Sequence, residues 1–303
     1  MTAEGRASGK IILLGEHAVV YGCPAIATGI SLGAWATARI APESDFDLDI
    51  VLDTSREHEL KRAFAALRQS LGAPPVAVTA RTDIPAGLGL GASAALGVAV
   101  ARAVATIGLQ LPESELRARV TSAAQSWEAV FHGRPSGIDV AAATLGDCFE
   151  FTTGHGPKPI HLATTLPIAV GVAGPPMSTK IMVDGLARLR QEKPELVDRS
   201  FDAIRSLVSN AKLALENGDL GTFGHLLDLN QMLLAGLFLS SAAIERACAI
   251  ARAAGALGAK LTGKGGGGCV IALCPSDPQP ILDAWRRNGI EGFITSIQAS
   301  ARA

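Results

Sequence analysis

Between Asp83 and Val100 the chain reads D-I-P-A-G-L-G-L-G-A-S-A-A-L-G-V-A-V. Glycines stand at alternate positions, Gly87, Gly89 and Gly91, and Ser93 precedes a run of small apolar residues with helical character. Alternate glycines let a backbone take positive φ and approach a ligand closely. The helix behind them turns its unpaired N–H groups and positive dipole end toward the loop. A glycine loop feeding a helix N-terminus suits an anion, most often phosphate. Taken alone, such a stretch is more often a tight turn before a buried helix. Two nearby patterns are excluded. The dinucleotide fingerprint G-x-G-x-x-G needs glycine where Ala92 stands, and the near P-loop at Gly258–Lys264 has Gly265 in place of its Ser/Thr.

The rest of the composition narrows the partners. A 303-residue chain accommodates one large domain or two of ordinary size, and 48% apolar residues are ample for a core. A net charge of −1 argues against nucleic acid as a partner. The five cysteines, at 23, 148, 248, 269 and 274, show no paired metal-ligand spacing and read as reduced thiols of a cytoplasmic protein. The N-terminal residues carry no apolar secretory core. Ala92–Leu111 is apolar, but Arg102 interrupts it, so it reads as a buried helix rather than a membrane span.

In chain order, Lys10–Leu14 reads as a buried strand, followed by the polar Gly15-Glu16-His17 and a turn at Gly22 and Pro24. Residues 25–40 are β-rich, and Asp45–Ile50 alternates as a strand with a solvated acidic face. A helix over Ser55–Leu71, capped by Ser55, and a strand over Val76–Ala80 lead into the glycine loop. Pro112–Phe131 forms a helix with Glu128 near its C-terminal end, where a carboxylate opposes the dipole. Asp139 follows the irregular Pro135-Ser136-Gly137 turn, where an ordinary helix N-cap is one reading. Thr152–Thr165 breaks the pattern and sets a boundary, giving domains 1–160 and 161–303. The second half alternates strands (166–174, 270–274, 293–298) with helices from Ser178, over 194–216, 220–237, 241–254 and 280–288. No internal repeat is present.

Two glycine loops, a serine at a helix start, a Glu near a helix end, an Asp behind a turn and a Lys at a strand start form the inventory that phosphoryl transfer requires. Three stretches carry a closer likeness: Lys10-I-I-L-L-Gly15-Glu16-His17-A-V-V-Y-Gly22, Pro85–Ala95, and Lys260-L-T-G-K-G-G-G-G-Cys269. With Glu128 and Pro135–Asp139 between them, the chain resembles the GHMP kinase superfamily over nearly its whole length, and its mevalonate-phosphorylating branch most. The resemblance implies an α+β, two-domain GHMP kinase fold, with a ribosomal-protein-S5-like N-terminal domain and a ferredoxin-like C-terminal domain. It implies a kinase that uses ATP and Mg²⁺ on a small-molecule substrate, mevalonate, with no nucleic acid or membrane partner and a homodimer as the expected assembly. Other acceptors used in the superfamily (phosphomevalonate, the 3-hydroxyl of mevalonate, or a sugar) remain alternatives, as does a silent nucleotide-binding homologue.

Carried over residue by residue, Asp139 corresponds to the proton-accepting aspartate and Lys10 to the lysine beside it. Ser93 and Glu128 correspond to the Mg²⁺ ligands. Pro85, Gly87, Leu88, Gly89, Leu90, Gly91, Ala92, Ser93 and Ala94 make up the ATP phosphate loop. Glu16, His17, Thr179, Gly265 and Gly266 fall among the substrate groups. Three positions depart from the pattern: Ala92 replaces a serine, Lys264 stands where alanine is commoner, and Arg134 precedes the Pro-Ser-Gly turn.

Overall fold

The structure is a computed structural model, and it describes residues 2–48, 57–108, 112–133, 135–175 and 177–301. The expected cap Ser55, the end of the acidic strand at Asp49–Ile50, and Arg134 lie outside those residues. The chain forms two compact units, and neither is contiguous in sequence. The first comprises residues 1–10, 29–85 and 91–146; the second comprises 11–28, 86–90 and 147–303. A single cut along the sequence therefore does not describe the division.

In the first unit, β4 (Val76–Thr82) pairs antiparallel with the later part of β2 (Ala25–Ile40), from Ala34↔Thr82 to Ile40↔Val76. A short β3 (Asp45–Leu48) joins β4 in parallel. β1 (Thr2–Leu14) pairs with β2 and starts eight residues before the strand read from sequence. Burial alternates along its first residues, but the inward positions are Ala3, Gly5 and Ala7, too small to register as an apolar period. Gly5 is required there: a Cβ on it would overlap the carbonyl of Ala99.

That carbonyl belongs to α2 (Ala92–Gly108), buried over almost its whole length among α1 (Glu57–Leu71), α3 (Glu113–His132), α4 (Ile138–Leu145) and β4. The alanines of α2 permit this close packing. At Gly97 a Cβ would lie 2.7 Å from the Trp127 ring of α3. Pro112 is the N-cap of α3 rather than its first helical residue.

The second unit holds a four-stranded antiparallel sheet in the order β10 (Gly292–Ile297), β7 (Leu166–Gly174), β9 (Gly268–Leu273), β8 (Gly258–Thr262). Helices α7 (Leu220–Gly236), α8 (Ala242–Ala253) and α9 (Gln279–Arg287) pack on these strands. α6 (Pro194–Asn217) lies on α7, and α5 (Thr179–Glu192) on α6. Asp219 and Ser241 cap α7 and α8 by accepting from the N–H groups of Thr222 and Ile244. The Thr152–Thr165 stretch contains a hairpin strand that periodicity did not reveal. There β6 (Gly156–Pro159) pairs with β5 (Phe149–Thr152), and its exposed Gly-Pro-Lys-Pro sequence has no apolar alternation to detect. Among the described residues no helix is long and apolar enough to cross a membrane.

Candidate active site

The glycine loop has the backbone its sequence requires. Gly87, Gly89 and Gly91 have φ of 76°, 78° and 79°, the left-handed region that other residues enter only at a cost. Gly91 accepts the first intrahelical bond of α2, from the Ala95 N–H at 2.9 Å. The N–H groups of Ala92, Ser93 and Ala94 thus lie in the first turn of α2, where no preceding helical carbonyl is available. Any side chain at Gly91 would crowd Lys10, whose Cγ would be 2.9 Å from a new Cβ.

Within the first unit, Lys10 and Asp139 form an ion pair, Nζ to Oδ1 at 2.8 Å. The lysine side chain is 6% exposed and the aspartate 40%, so the ammonium is enclosed while the carboxylate opens to solvent. Asp139 is in the first turn of α4, whose N-cap is the left-handed Gly137; it is not the cap itself. That decides between the two sequence readings in favour of a side chain directed to a partner other than its own helix N-terminus.

The two oxygens expected to hold a metal also converge. Ser93 Oγ donates to Glu128 Oε1 at 2.5 Å, and Trp127 Nε1 donates to Ser93 Oγ at 3.3 Å. Burial pushes the Glu128 carboxyl up to about 7; the Ser93 hydrogen bond opposes this, Asp139 adds to it and Lys10 opposes it. A divalent cation fits the pair. It would meet hard oxygen donors and supply the positive charge that a buried carboxylate lacks. Among the described residues no cluster of three or more His, Cys, Asp or Glu forms a metal site.

In the second unit, Gly15-Glu16-His17 is fixed from three directions. Gly15 N–H donates to Asn230 Oδ1 of α7 at 3.2 Å. Lys260 Nζ of β8 donates to Glu16 Oε1, and both residues are 0% exposed. Burial lowers the pKa of Lys260, and the Glu16 carboxylate opposes the shift. His17, at φ 60°, holds its Nε2 2.8 Å from the carbonyl of Lys264. Burial lowers the imidazole pKa, so the neutral ring prevails; a carbonyl only accepts, so Nε2 carries the proton and Nδ1 is left as an acceptor. Glu16, expected among the substrate groups, is instead turned into the interior.

The second glycine loop is shaped by backbone contacts. Gly265 and Gly266 have φ of 70° and 67°, and Gly266 N–H donates to the Leu239 carbonyl at 2.9 Å. A Cβ on Gly265 would overlap that carbonyl, and one on Gly266 would meet the Met182 sulfur at 2.6 Å. The Gly266 N–H is therefore already committed to the protein. Thr179 is the first residue of α5. Sequence reasoning did not single out Asn230, and it placed Lys260 only as the first residue of the third motif, at the entry to the second glycine loop. Its signal was a charge inside the otherwise apolar Gly258–Thr262 run.

Comparison with known proteins gives a consistent result. Residues 58–147 match the GHMP kinase N-terminal domain family and residues 211–291 the GHMP kinase C-terminal family. The mevalonate kinase of Pyrococcus horikoshii is 32% identical, over 96% of this chain and 94% of that protein. That of Pyrococcus furiosus is 33% identical, over 98% and 96%. The crystal structure of L. major mevalonate kinase in complex with R-mevalonate superimposes with a TM-score of 0.88 at 29% identity, covering 100% of this chain and 98% of that one.

Proposed function

The chain belongs to the mevalonate kinases of the GHMP kinase family, and on that premise we propose that it transfers the γ-phosphate of ATP to the 5-hydroxyl of (R)-mevalonate. The observation that carries the mechanism is the Lys10–Asp139 pair beside the hydrogen-bonded Ser93–Glu128 oxygens. Asp139, half open to solvent, accepts the hydroxyl proton as the oxygen attacks the γ-phosphorus. The O–P bond forms, the bond from that phosphorus to the β,γ-bridging oxygen breaks, and ADP leaves with the electron pair. The Lys10 ammonium offsets the charge of Asp139 and of the developing alkoxide. The loop through Gly87, Gly89 and Gly91 and the first turn of α2 bring backbone N–H groups to the ATP phosphates. Ser93 and Glu128 would hold Mg²⁺, which would supply positive charge against the phosphates. The Nδ1 of His17, an acceptor in the neutral ring, serves to orient a substrate hydroxyl. Thr179 and the Gly265–Gly266 backbone border the substrate in this reading.

The test is ADP release with Mg·ATP across mevalonate, 5-phosphomevalonate, galactose and homoserine, with the phosphorylated position identified by ³¹P NMR. Turnover on mevalonate alone, giving the 5-phosphate, is the expected result. Turnover on another acceptor would retain the mechanism and replace the substrate. Silence on all four with ATP still bound would leave a nucleotide-binding homologue.

A further inference from the structure

We infer that Lys260, with Glu16 as its counter-ion, is a positioning residue for the acceptor site, setting the His17 ring rather than touching substrate. The inference rests on the reading of His17 as the substrate-facing group. Three ties join the segment Ile12–His17 to one strand and its exit, at alternate residues. Lys260 Nζ reaches the Glu16 carboxylate and the Leu261 carbonyl. Thr262 Oγ1 accepts from the Ile12 N–H at 2.9 Å and donates to the Ile12 carbonyl at 3.0 Å. The Lys264 carbonyl meets His17 Nε2 at 2.8 Å.

Residues two apart on a strand share a face. Lys260 and Thr262 therefore meet their partners from one side of β8, and Lys264 continues the spacing into the loop. Together these ties hold Ile12, Glu16 and His17 against β8 and the second glycine loop. Asn230, buried and bonded to the Gly15 N–H, anchors the same segment from α7.

A buried ion pair is a poor source of stability, since desolvation of two charges offsets their attraction. Its place here, one residue before a histidine held in left-handed backbone, is better explained by what it orients. A side chain with no exposed surface cannot contact a diffusing substrate, so Glu16 acts through its neighbour.

The experiment separates orientation from stability. In the substrate-free enzyme, ¹⁵N-detected histidine spectra should show His17 as a single Nε2–H tautomer. In Lys260→Met that signature should broaden or average. The mevalonate KM should rise roughly tenfold or more, with the ATP KM within about twofold. The double variant Glu16→Gln/Lys260→Met removes both charges and should regain thermal stability over either single variant. Under the proposal it keeps the raised mevalonate KM. A double variant with wild-type mevalonate KM and an unchanged His17 tautomer would reduce the pair to a structural contact. If the wild-type enzyme used a different acceptor, the NMR comparison would still decide whether Lys260 sets the ring. Asn230→Ala serves as the second variant should Lys260→Met fail to fold. A wild-type His17 spectrum in it, together with a wild-type mevalonate KM, would overturn the proposal that this segment is held in place for the acceptor.

Discussion

Replacing Phe238 by glycine should stabilise this protein, although it deletes a large hydrophobic side chain. Helix α7 ends in a Schellman arrangement: Leu239 N–H donates to the Leu234 carbonyl and Phe238 N–H to the Ala235 carbonyl, both at 3.0 Å. The residue between cap and exit must then be left-handed, a position where glycine is the usual occupant. Here Phe238 takes it, at φ 59° and with 74% of its surface exposed. Left-handed backbone costs an L-residue roughly 1–2 kcal/mol. Glycine removes that cost but loses about 0.5–1 kcal/mol more in chain entropy on folding. With little side-chain burial to forfeit, the net gain is about 0.5–1 kcal/mol. For a chain of this size that corresponds to a rise in Tm of a few degrees at most. Differential scanning calorimetry of Phe238→Gly against Phe238→Ala is the assay, because alanine deletes the ring without relieving the backbone. Only glycine should raise Tm. Equal effects in the two variants, or a lower Tm in Phe238→Gly, would refute the strain argument and mean that the ring makes contacts of its own.

Three further outcomes are expected. Asp139→Asn should bind ATP normally and lose turnover by roughly 10²–10⁴-fold; isothermal titration and steady-state rates measure both, and near-normal turnover would reduce Asp139 to a structural residue. Glu128→Gln should raise the Mg²⁺ concentration for half-maximal activity by about tenfold or more, and an unchanged titration would remove Glu128 from the metal. His17 has a depressed pKa through burial, so its stability contribution is present above the ordinary histidine range and is lost as pH falls through the folded value. Urea unfolding at about pH 7.5 and 5.5 should show a smaller acid loss in His17→Gln than in the wild type; identical losses would mean that the ring is not held neutral.

Much of the site could be read along the chain because its parts are local. The alternate glycines 87, 89 and 91 dictate their own positive φ, and Ser93 follows at a fixed distance from the helix start. Long periodic helices such as α6 likewise declare themselves, with Val197, Phe201, Ile204 and Val208 buried at helical spacing. The first eight residues of β1 escaped because their inward positions are alanine and glycine, whose burial carries no hydrophobic signal.

What the sequence alone determined was the list of chemical groups and the backbone freedom each glycine supplies, since both are properties of residues and their near neighbours. Pairing was decided by the tertiary structure. Lys10 finds Asp139 across 129 positions of chain, and Lys260 finds Glu16 across 244. Such partners are chosen by how strands and helices pack, and only then does burial assign protonation. It raises Glu128 toward 7 where a cation can claim it, and keeps His17 neutral where one ring nitrogen must accept. Glu16 is the clearest case: the motif names the residue, but only the fold turns its carboxylate away from solvent and onto a buried lysine.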